Sequence, residues 1–133
     1  MTDARLERVA ADRHGAREFL GQAKRFLADS EIAGLSSESK SVLLHNATIA
    51  ACDGILQANG HRVTSGDKSH VLRLETALGF LPGDTEELLE RLDASRERRN
   101  EASYSAGFIA QASVIDAREA VTELLALTEL LLS

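Results

Sequence analysis

Three arginines, an asparagine and the chain's only tyrosine crowd into Arg96-Glu97-Arg98-Arg99-Asn100-Glu101-Ala102-Ser103-Tyr104, about two and a half turns of a helix. Such a set suits phosphate chemistry. The planar fork of an arginine matches two phosphate oxygens, an amide can orient phosphate or ribose, and a phenol can donate a further hydrogen bond. Arg96 and Arg99 stand three apart, so on a helix they repel by roughly 0.2–0.5 kcal/mol unless an anion or a carboxylate meets them. The plainer reading is a solvated helix face on which Asp93, Glu97 and Glu101 supply the partners.

The other reactive side chains form no recognised catalytic set. His45 lies among apolar residues, where a histidine ordinarily takes a structural place with one hydrogen-bond partner. His61 and His70 flank a loop from which either could reach the arginine cluster and supply a base, although a surface or capping place is the simpler assignment. Cys52 is the only cysteine, so no internal disulfide can form, and its apolar helical surroundings make it a small core residue. No His, Cys, Asp or Glu spacing suits a metal site, and there is neither a phosphate-cradling glycine loop nor a nucleophile elbow. The expectation is therefore no metal and no cofactor.

These residues need a scaffold. The 133 residues, 44% of them apolar, fit a single domain over 1–133 with a continuous core. Aromatics are 4% and tryptophan is absent, so core volume must come from Leu, Ala, Ile and Val, which suit close helix packing. A formal charge of −6 argues against a general nucleic-acid binder, whose affinity rests on many Lys and Arg contacts, but leaves room for a local basic site. The charged N-terminus and the lack of a long apolar run predict a cytoplasmic protein that does not enter the membrane.

The apolar periodicity predicts five helices and no strand. Leu6, Val9, Ala16, Phe19, Leu20, Ala23 and Phe26 recur at three and four, which predicts a long amphipathic helix from about Asp3 to Ser30. Ser36 or Ser37 caps a second helix that ends at Asn59-Gly60 and is apolar on several sides, as a central helix is. A loop over His61 to Asp67 leads to a short helix through Val71 to Phe80. Leu81-Pro82-Gly83 then turns the chain, and Asp84 or Thr85 caps the helix that carries the arginines, with Glu86 and Glu87 complementing its dipole. After Gly107 the chain loosens until Ser113, which caps the last helix. Short connections imply antiparallel neighbours, hence an all-α, up-and-down four-helix bundle with an additional short helix.

With the helices placed, the chain from about Ser41 onward resembles the HEPN superfamily of small helical-bundle proteins. Leu44 to Ala51 looks like the family's second helix, Ile55 to Arg62 like its end and the following loop, and Gly66-Asp67-Lys68-Ser69-His70 like the entry to its short helix. Arg99-Asn100-Glu101-Ala102-Ser103-Tyr104 is similar to the family's motif of arginine, polar residue, spacer and histidine, with tyrosine in the histidine position. The Arg-Asn-x-x-x-Tyr form resembles an actinobacterial-type branch.

The resemblance implies a homodimer whose facing motifs line a cleft and cut RNA without metal through attack of the ribose 2′-hydroxyl. Arg99 would then bind the scissile phosphate, Asn100 would orient phosphate or ribose, and Arg96, Arg98, Ser103 and His70 would serve binding. Tyr104 departs from the pattern: a phenol with pKa about 10 is a poor base at neutral pH unless Arg96 and Arg99 stabilise its phenolate. The implied function is a metal-independent endoribonuclease or toxin-type ribonuclease of weakened activity, with RNA or a nucleotide, a cognate antitoxin or a nucleotidyltransferase-type protein as partners. The alternative is a noncatalytic module that binds nucleotide, RNA or protein through the same groove. A purely structural homodimer is the third reading.

Overall fold

The computed structural model describes residues 3–105 and 109–133, apart from the side chains of 101–105. Among these residues the chain is mostly helical: strand β1 (Leu6–Arg8), helix α1 (Arg13–Asp29), helix α2 (Ser37–Ala58), strand β2 (His61–Val63), then helices α3 (Ser69–Gly79), α4 (Glu86–Ser105) and α5 (Gln111–Leu132). No helix among the described residues is long and apolar enough to cross a membrane.

The first departure from expectation is at the N-terminus. The segment ahead of Arg13 is extended, and β1 pairs antiparallel with β2, Leu6 opposite Val63 and Arg8 opposite His61. Glu7 meets Arg62 across this pair at 2.7 Å. Asp12 stops the helix from reaching further back, because its extended backbone lets the side chain accept from the Gly15 N–H as an N-cap. Leu6 and Val9 mimic helical spacing but remain 39% and 36% exposed. A tiny two-stranded sheet thus joins an otherwise helical fold.

The cap signals of α2 hold. Ser36 accepts from the Ser39 N–H at 3.0 Å, and Gly60 ends the helix at φ +74°, a left-handed conformation that glycine takes without strain. A Cβ there would also lie 2.9 Å from the Val9 carbonyl. Helix α2 is the centre of the molecule and packs against α1, α3, α4 and α5, as its apolar residues on several sides require. The α1 contact is close because both helices offer small residues: Ala16, Ala23, Ala47, Ala50 and Ala51 are all buried.

Beyond the Leu81-Pro82-Gly83 turn, Asp84 accepts from the Glu86 N–H, while the Thr85 carbonyl accepts the first α4 bond from Leu89. Leu88 and Leu92 carry the buried stripe of α4. Helix α5 begins at Gln111, ahead of the expected Ser113 cap. The Ala110 carbonyl accepts from both Ser113 and Val114, which places Ser113 inside the first turn. Buried Ile109 anchors the approach, its N–H donating to Glu38 on α2.

Candidate functional site

Three helices each turn one stripe toward a small cavity. On α2 the stripe is Ser41, His45, Thr48 and Cys52, on α3 it is His70, Arg73 and Leu74, and on α4 it is Leu92, Ser95, Arg96 and Arg99. Within each stripe every residue stands three or four positions from another, the interval at which helix positions share a face. Buried Cys52, Leu74 and Leu92 close the inner end, and exposed His70 stands at the rim. The cavity measures about 30 Å³, against the roughly 10–15 Å³ that one water needs. Such a volume takes one or two waters or the oxygens of a small anion.

Its charge is one-sided. Arg73, Arg96 and Arg99 line it, and no carboxylate does so among the described residues. The acids that orient the arginines sit behind them. Arg73 donates to Asp53 at 2.8 Å, with side chains 16% and 30% exposed, and Arg96 contacts Asp93 at 3.0 Å. Arg99 reaches the Asn100 amide oxygen at 3.5 Å. In a chain of net charge −6, this turns guanidinium groups toward the cavity and leaves the carboxylates paired with Arg73 and Arg96 out of its lining.

The imidazoles respond to those charges. His45 and His70 lie with ring centroids 5.2 Å apart and planes tilted by 57°. Burial pushes His45 down to about 4, helped by Arg99, His70, Arg96 and Arg73. His70, exposed at the rim but partly desolvated by the cavity wall, is also lowered, by that desolvation first and then by Arg73, Arg96 and Arg99. Both are therefore neutral at pH 7, and each ring offers one donor and one acceptor. At the inner end, burial pushes the Cys52 thiol up to about 12, which removes it as a nucleophile.

The residues singled out in the sequence divide three ways. Arg96, Arg99 and His70 come together in the cavity, and Asn100 adjoins it through Arg99. Arg98 turns the other way, 3.7 Å from Asp116 on α5, in a group where Arg91 also holds Asp116 at 2.9 Å. The side chains of Ser103 and Tyr104 lie outside the described residues. His61 stacks near Phe80 at 5.6 Å rather than entering the cavity.

The sequence reading gave His45 a structural place and did not single out Arg73, and both line the cavity. Arg73 carried a signal, standing three residues after His70 and so on the same face of α3. His45 had none beyond being polar on an apolar helix. Among the described residues no group of three His, Cys, Asp or Glu side chains could hold a metal ion. No family model, curated protein or solved structure matches the chain.

Proposed function

We propose that the chain is a HEPN-like, up-and-down four-helix bundle with an additional short helix that binds RNA through its phosphates at the cavity between α2, α3 and α4. One observation carries this reading: three guanidinium groups and two imidazoles line a cavity that no carboxylate lines among the described residues. Oxyanions satisfy such a site best, because each charge-assisted hydrogen bond contributes about 1.5–3 kcal/mol. The small volume favours phosphate oxygens with the base left outside. The protein would act in the cytoplasm as a homodimer that sets two Arg99-Asn100-Tyr104 motifs across a groove, with an antitoxin or a nucleotidyltransferase-type protein as cognate partner.

A catalytic version has its own support in His70, which is exposed, neutral at pH 7 and in the same cavity as Arg99. His70 would take the proton of a ribose 2′-hydroxyl as that oxygen attacks phosphorus. The bond to the 5′-oxygen would break, and water would protonate the leaving group. Arg99 would stabilise the charge that develops. His70 would thus fill the place left by tyrosine at 104.

RNA incubated in EDTA separates the two versions. Cutting that Arg99→Ala abolishes supports the ribonuclease. Salt-sensitive binding without cutting supports the binding module, and Arg99→Ala should then lower the salt slope for single strands by about 0.7. Absence of any salt-sensitive binding contradicts both.

A further inference from the structure

We infer that the cavity recognises a terminal phosphate, a phosphomonoester at an RNA end, in preference to the phosphodiesters along the strand. The inference deepens the phosphate-binding reading and rests on it. Its first support is shape. The inner end is closed by core side chains, Cys52 at 1% and Leu92 at 4% exposure, and about 30 Å³ of space lies in front of them. A monoester presents three bare oxygens inward and lets its single ester arm leave past His70. A diester turns only two bare oxygens inward, and both of its ester arms must leave past the same rim.

Charge is the second support. A diester carries one negative charge, whereas a terminal phosphate carries about 1.5 to 2 at pH 7, with its second pKa near 6. Arg73 from α3 and Arg96 and Arg99 from α4 converge on the one cavity, and their forked donors suit the third bare oxygen and the extra charge of a monoester. Asp53 on α2 and Asp93 on α4 hold two of these arginines from outside the lining, which fixes their direction.

The third support is the pair of imidazoles, which no part of the arginine motif requires. His45 from α2 and His70 from α3 face each other at 5.2 Å. A neutral imidazole can donate one hydrogen bond and accept another. An acceptor nitrogen is useful to a phosphate that carries a P–O–H, as a monoester does near its second pKa, and a diester has no such proton to give. Ser41, Thr48 and Ser95 complete the polar lining.

The test compares one oligoribonucleotide in three forms, with a 5′-phosphate, a 3′-phosphate or hydroxyls at both ends, by fluorescence anisotropy at pH 7 in EDTA. We expect an end-phosphorylated form to bind at least about tenfold more tightly than the hydroxyl form, the equivalent of one further charge-assisted contact. Inorganic phosphate should compete away that advantage on the unaltered protein, so the result does not hang on a variant's folding. Arg73→Gln, checked for its thermal transition, should lose the end preference. Equal affinity for all three forms, still salt-sensitive and still lost in Arg99→Gln, overturns end recognition and leaves the phosphate-binding reading standing. No salt-sensitive binding of any form overturns both.

Discussion

Acid should unfold this protein partly through one imidazole. In the unfolded chain His45 titrates near 6.5, and in the folded protein burial and the surrounding arginines hold it at about 4. Between those values the unfolded state binds a proton that the folded state refuses, so the stability His45 permits is complete above pH 6.5 and drains away as pH falls toward 4. From pH 7 to pH 5 the full linkage is roughly 2 kcal/mol, reduced to about 1–2 kcal/mol by solvent screening of a ring that is only half buried. Urea titrations at both pH values, for the natural chain and for His45→Gln, measure it. Asp53, whose carboxyl burial raises, and the other acids titrate in both proteins and cancel in the double difference. The variant should lose about 1–2 kcal/mol less on acidification. An equal loss in both proteins would refute the assignment of the acid sensitivity to His45.

Three further outcomes follow from the packing and the local field. Arg73→Gln removes the largest charge acting on His70, so the His70 pKa measured by NMR should rise toward 6.5; an unchanged value would mean that burial alone sets it. Gly54→Ala would place a Cβ 3.0 Å from the Ala16 carbonyl and 3.1 Å from the Phe19 Cβ, forcing α1 away from α2. The gain in helix propensity, about 1 kcal/mol, should be outweighed by about 1–3 kcal/mol of overpacking, and a urea midpoint that does not fall would contradict this. The Cys52 thiol, buried and pushed up to about 12, should resist a disulfide reagent in native buffer and react fully in urea; rapid native reaction would show that the cavity opens through its inner end.

The sequence was most legible where local chemistry decides. Ser36, Asn59-Gly60 and Asp84-Thr85 mark helix ends through hydrogen bonds spanning at most a few residues, and each boundary falls where those residues place it. The N-terminus misled because Leu6 and Val9 keep helical spacing while β1 is fixed by β2, more than fifty residues away, a pairing that no local pattern encodes. Ser113 misled because two backbone bonds to Ala110 start the helix one turn sooner. At the candidate site the α4 arginines stood out by crowding, and their spacing puts Arg96 and Arg99 in the cavity while Arg98 turns to α5. His45 and Arg73 join them only through the packing of α2 and α3 against α4, a tertiary fact.

The central claim is that the cavity between α2, α3 and α4 takes a phosphate, and the imidazoles report on it directly. The chain has four histidines, of which His45 and His70 line the cavity while His14 and His61 lie elsewhere, paired with Glu18 and Phe80. In an NMR titration with inorganic phosphate at constant pH and ionic strength, the ring C–H resonances of His45 and His70 should move together and saturate while those of His14 and His61 stay in place. Four resonances drifting alike without saturation, or none moving, would contradict the claim.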